Sequence, residues 1–213
     1  MPQPFLRVVP KGGSVMIHTP EDPIFPKCPD LSLLALSAIA SWSNVDLALL
    51  RVFMQLMGGP ESMSASIYVA LGGQTAKNAA IHAAARSALS ARPNEYALLK
   101  ALLKLAKTNQ KFRDKLAHWV WAYSPALPDA LLLMDPMRNY GNLHKKDILA
   151  FTASDFEPYI AANKRLQNYC GQLEFVIAVP QPTAKRQSIF KRLNESPEVK
   201  AALEQLAVQS DEA

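Results

Sequence analysis

Between Pro93 and Trp121 one set of side chains recurs at alternating intervals of four and three: Leu98, Leu102, Leu105, Asn109, Phe112, Leu116 and Trp119. At about 100° per residue this spacing lines up a single seam, the pattern of a helix packed against a partner helix. A strand, with its period of two, could not keep these residues on one face. The spacing therefore predicts a long helix over 93–121, with Pro93 near its first position. Asn109 is the polar interruption. Beside the seam runs a second stripe, Lys100, Lys104, Lys107, Lys111 and Lys115, and His118 falls in it. The helix carries these five lysines and Arg113 against Glu95 and Asp114.

The rest of the chain reads around this helix. Residues 1–30 hold seven of the sixteen prolines and the turn signal Lys11-Gly-Gly-Ser14. They are expected to form an extended arm with one short strand near Val15–His18. Residues 31–179 are expected to form a helical bundle. In it, Ser43 caps a central helix from Asn44 to Met57, with Asp46 in its first turn. Gly58-Gly-Pro60 ends that helix. Alanine-rich helices follow at 61–71 and 74–90, divided by Gly72-Gly73. Pro125 and Pro128 close the helical region after Tyr123, Leu131–Met134 is a short apolar run, and 135–147 is a polar loop. Thr152 or Ser154 caps a further helix to about Ile177, with Pro158 in its first turn. Residues 180–213 are a linker and a tail of two short helices that part near Ser196-Pro197. The expected fold is all-α, an irregular helical bundle.

Composition narrows the functional classes. Eight glycines are few for a sheet-rich fold of 213 residues, and 49% hydrophobic against 19% charged is a globular balance. A net charge of +5 and a pI near 9.2 favour anionic partners. Cys28 and Cys170 share no metal-ligand spacing. The N-terminus lacks the order of a signal peptide. The most apolar stretch, from Leu31, is broken by Ser41, Ser43, Asn44 and Asp46, so a soluble, cytoplasmic protein with no membrane span is expected. No Cys/His cluster, phosphate-cradling glycine loop or Gly-x-Ser-x-Gly elbow is present, and no metal or cofactor is expected.

The chemistry concentrates in Arg113-Asp-Lys-Leu-Ala-His118, followed by Trp119-Val-Trp121. Arginine clamps a phosphate with a planar fork of donors, and histidine exchanges a proton near neutral pH. Five positions separate the two, about 140° on an ideal helix, so they flank the seam from opposite sides. Joint action on one phosphate requires a distorted helix, an Arg side chain folded across, or two facing subunits. A second Arg–His spacing, Arg138 to His144, lies in a stretch with Gly141 and Asn142 that reads as a loop.

Arg-Asp-x-Leu-Ala-His-x-x-Trp in a helical chain of this size resembles the HEPN superfamily of helical ribonucleases and their inactive relatives. The matching positions are Arg113, Asp114, Leu116, Ala117, His118 and Trp121, and Trp119 stands where that family often has Gly. The resemblance implies metal-independent endonucleolytic cleavage of RNA by a homodimer, in defence or a toxin–antitoxin pair with a protein partner. It implies His118 as general acid or base, Arg113 as stabiliser of the transition-state charge, and Asp114 as an orienting group. Lys104, Lys111 and Lys115 would track the RNA backbone, and Trp121 would stack an unpaired base. The alternative is a non-catalytic helical interaction module in which Arg113 and His118 are structural.

Overall fold

A computed structural model describes residues 2–9, 13–19, 21–137 and 147–211. The second Arg–His spacing, Arg138 to His144, lies outside the described residues. The fold is 71% helical but contains a five-stranded antiparallel sheet, so it is α+β and not the all-α bundle expected. The elements run β1 (Gln3–Pro4), α1 (Phe5–Val8), β2 (Met16–Ile17), a 3₁₀ turn (Phe25–Lys27), α2 (Pro29–Met57), α3 (Glu61–Ala70) and α4 (Gln74–Ala88). They continue with α5 (Pro93–His118), β3 (Val120–Tyr123), β4 (Leu131–Met134), β5 (Ile148–Phe151), α6 (Ala153–Ala178), α7 (Ala184–Glu195) and α8 (Pro197–Asp211).

The expected helix over 93–121 ends early. Trp119 leaves it, and Val120 begins a strand. Val120, Trp121 and Tyr123 are β-branched or aromatic, the types that fit a pleated surface. Ser43 caps nothing, because 31–42 and 44–57 are one helix, α2. No Gly or Pro interrupts it, and Trp42 and Val45 are both buried, so packing carries the helix through the serines. Gly58, at φ 62°, ends α2 in the left-handed region, its N–H returning to the Met54 carbonyl at 3.2 Å. The helix 61–71 ends at Ala70 and the helix 74–90 at Ala88, close to expectation.

Contacts divide the chain into two compact units. Unit 1 comprises Met1–Trp42 and Asn109–Asn163; unit 2 comprises Ser43–Thr108 and Lys164–Ala213.

In unit 1 the sheet order is β1-β5-β4-β3-β2. The meander β3-β4-β5 forms the centre, with Val120 opposite Met134 and Leu131 opposite Phe151. The N-terminal segment supplies both edges, Gln3 opposite Ala150 and Met16 opposite Tyr123. Side chains alternate between two cores. Leu131, Leu133 and Phe151 face Leu31, Ala35, Ala38, Leu116 and Phe156, whereas Leu132, Met134, Ile148 and Ala150 pack with Phe5. Burial on both faces explains why β4 is an unbroken apolar run. Phe112 stacks on Tyr159 with centroids 4.3 Å apart and meets Phe151 edge-on at 5.6 Å. Asn109, the interruption in the seam, donates to Asn163 Oδ1 at 2.8 Å, and fully buried Asn163 donates to Ser41 Oγ at 2.8 Å. Thr152 precedes α6, and both its N–H and its hydroxyl donate to Asp155 Oδ2 at 3.0 Å, which fixes the start of the helix. Pro158 therefore lies inside α6, beyond the first turn where it was expected.

In unit 2 the buried core includes Leu49, Phe53, Tyr68, Ile81, Leu98, Leu102, Leu173 and Leu193. α2 is long and apolar enough to cross a membrane, by length and composition, which the interrupted reading of its sequence did not anticipate. Its unit 2 residues Val45, Leu49 and Val52 are fully buried in this fold. Asp46 accepts from Tyr68 Oη at 2.9 Å and Lys77 Nζ at 2.7 Å. Glu95, 8% exposed, accepts from Arg92 Nε at 3.3 Å and from Arg186 Nη2. The same arginines cap the end of α6: Arg92 donates to the carbonyls of Val176 (2.7 Å) and Ile177 (3.2 Å), and Arg186 to that of Val176 (3.3 Å).

Each unit buries one cysteine. Burial pushes both thiols up, Cys170 to about 12. The thiolate is the reactive form. Native protein should therefore stay silent in a thiol titration that counts two groups after unfolding in urea; rapid native reaction would contradict this packing.

Candidate nucleic-acid interface

The last two turns of α5 bring the candidate residues of unit 1 onto one element. α5 is helical without a break through His118, so no distortion redirects the side chains. Among the described residues, no hydrogen bond or ion pair joins Arg113 to His118. His118 is exposed at the final helical position, where a basic group suits the negative end of the helix dipole. Arg113 is half-buried and turns to Asp114, Nη1 donating to Oδ1 at 3.2 Å. Gln110 donates to the other carboxylate oxygen at 3.2 Å. Asp114 thus sits between the Arg113 guanidinium and the Gln110 amide.

The lysines divide differently. Lys111 is exposed, and Lys115 is half-buried with its ammonium 5.1 Å from the centre of the Trp119 ring. Trp119 packs partly against the core, so it both closes the seam and seats a cation. Trp121 is on β3, half-buried, its ring edge-on to Phe25 at 5.5 Å, and Phe25 in turn lies 5.1 Å from His18. Lys104 belongs to unit 2 and is half-buried.

Two polar atoms near Arg113 escaped sequence reasoning. Arg113 Nε is buried without a hydrogen-bond partner, and so is Tyr159 Oη. Burial pushes the Tyr159 phenol up to about 12, with the neighbouring Asn163 side chain and then Arg113 opposing the shift and Asp114 reinforcing it. Tyr159 is therefore a neutral phenol at physiological pH, able to donate but not to act as a base. Its apolar setting against Phe112 gave no signal in sequence. A separate cleft of about 560 Å³ is lined by Gln3, Leu127, Asp129, Thr152, Ser154 and Asp155, away from the Arg–His segment. Among the described residues no group of three His, Cys, Asp or Glu side chains converges.

The arrangement holds one arginine oriented by a carboxylate, two lysines and a histidine free to meet solvent. These groups place positive charge at the end of α5, but within one copy they do not converge on one point. Comparison with protein-family models, with curated proteins and with solved structures returns no match to this chain.

Proposed function

We propose that this chain is a cytoplasmic RNA-binding protein of HEPN-like character, which acts on RNA as a homodimer. One observation carries the reading. The end of α5 presents Lys111 and Lys115 on the same stretch as Arg113 and His118, and among the described residues neither lysine forms an ion pair with a carboxylate. Uncompensated charge at this spacing suits a phosphodiester backbone.

Cleavage needs His118 of one copy opposite Arg113 of another, because one helix directs them about 140° apart. His118 would take the proton of a ribose 2′-hydroxyl, O2′ would attack phosphorus as the P–O5′ bond breaks, and the departing 5′-oxygen would take a proton from water to leave as a 5′-hydroxyl. The product would be a 2′,3′-cyclic phosphate, with Arg113 stabilising the pentavalent charge. Wild type, Arg113→Ala and His118→Ala, each checked for fold, are to be incubated with single-stranded RNA in EDTA. A dimeric nuclease predicts cleavage that falls about 10²-fold or more in each variant. Equal cleavage by all three, or none by wild type, removes the catalytic half of the proposal.

A second reading is favoured by a specific surface. α3 exposes Met63 (51%), Ile67 (41%) and Val69 (74%), an apolar set suited to a protein partner such as an antitoxin-like chain. In that reading Arg113, Asp114 and Gln110 form a structural surface network.

A further inference from the structure

The net charge of +5 is not shared by the two units. Unit 1 contains nine Lys and Arg against nine Asp and Glu, whereas unit 2 contains fourteen against nine. Within unit 2 the imbalance is local. From Gln74 to Thr108 the one acidic residue is Glu95, which is buried between Arg92 and Arg186. Lys77 is paired with Asp46. Arg86, Lys100, Lys104 and Lys107 remain, and among the described residues none of the four is in an ion pair.

The geometry gathers them. The His82 ring of α4 meets the Tyr96 ring of α5 edge-on, centroids 6.4 Å apart. Arg86 lies one turn beyond His82, and Lys100 one turn beyond Tyr96 with its ammonium 5.3 Å from the Tyr96 ring centre. Lys104 and Lys107 continue the Lys100 face at helical spacing. His82 is held below the usual imidazole range by burial, then by Arg86 and Lys100, so the ring is neutral at physiological pH.

We infer that the α4–α5 face of unit 2 is a second nucleic-acid contact, in which Arg86, Lys100, Lys104 and Lys107 take the phosphates of single-stranded RNA and Tyr96 with His82 stacks an unpaired base. Aromatic rings set among cations are the pattern of a single-strand platform. Duplexes keep their bases stacked internally and have no use for the rings. An anionic membrane is disfavoured, because none of the exposed large apolar residues among those described lies on α4 or α5 to insert. The inference rests on the RNA-binding reading but places the contact in the other unit.

The test is binding of a labelled oligouridylate, measured by fluorescence anisotropy across a salt series. Arg86→Gln/Lys100→Gln should weaken binding about tenfold and flatten the salt slope by about 1.4, two lost contacts at roughly 0.7 each. Tyr96→Leu should weaken it at least about fivefold while leaving the slope unchanged. If Lys111→Gln/Lys115→Gln weakens binding and Arg86→Gln/Lys100→Gln does not, the second contact is wrong and the RNA-binding reading stands. If wild type does not bind the oligomer, both fall. Tighter binding of wild type to duplex DNA or to phosphatidylserine vesicles than to the oligomer also overturns the inference.

Discussion

Glu95→Ala should lower the unfolding free energy by about 3–5 kcal/mol, the range for removing one partner of a buried charge cluster. The carboxylate is 10% exposed, Arg186 is 12% and Arg92 21%, so neither guanidinium can recover water without moving. The remaining acceptors are the carbonyls of Val176 and Ile177, which are dipoles and not charges. At about 2–4 °C per kcal/mol for a chain of this size, the melting temperature should fall by roughly 6–20 °C. Urea unfolding of Glu95→Ala, Arg186→Met and the double variant gives the coupling directly. The double variant should be more stable than Glu95→Ala, because it no longer buries the Arg186 charge without its partner. A loss under about 1 kcal/mol in Glu95→Ala would show that the cluster is hydrated.

Phe5→Ala should cost about 3–5 kcal/mol by removing a fully buried ring. The effect has a location as well as a size. Phe5 belongs to the segment that supplies both sheet edges and packs with Leu132, Met134, Ile148 and Ala150. Its loss should loosen β1 and β2 together. In native-state hydrogen exchange the His18 amide, which donates to the Trp121 carbonyl at 2.9 Å, should lose protection before the amides joining β4 to β5. Freed edges of β3 and β5 would also raise aggregation. Retained protection at His18 despite lowered global stability would mean that the edges are held independently of Phe5.

The helical elements were legible because their signals are local. The Leu98 to Leu116 seam, the alanine-rich stretches, the Gly58 and Gly72-Gly73 breaks and the Ser196-Pro197 parting all fall where the structure has them. Of the sheet only the short strand near Val15–His18 was legible, and it forms as Met16–Ile17. The sheet's strands are two to four residues long, and β4 is apolar on both faces, which removes the alternation that identifies a strand. The clearest overlooked sign was the composition of Val120-Trp-Ala-Tyr123, β-branched and aromatic, directly after a helix rich in Lys and Leu.

The candidate site divides along the same line. That Arg113 and His118 leave α5 in different directions follows from helix geometry, which any sequence reader can calculate. That Trp121 lies against Phe25 and that Tyr159 senses the Arg113 charge depend on strands and helices distant in sequence, whereas Arg113 pairs with its own neighbour, Asp114. Asn109 shows the difference in one residue: its interruption of the seam is visible in the sequence, but its partner Asn163 is 54 positions away.

By itself the sequence determined most of the helices, the glycine breaks between them and the positive character of α5, because each depends on residues within a few turns of one another. Tertiary structure alone decided the pairing of the sheet, including its Gln3–Pro4 edge, the Glu95 cluster and the placing of the excess charge in unit 2. Those features pair groups far apart in the chain, and their stability comes from removing both partners from water together.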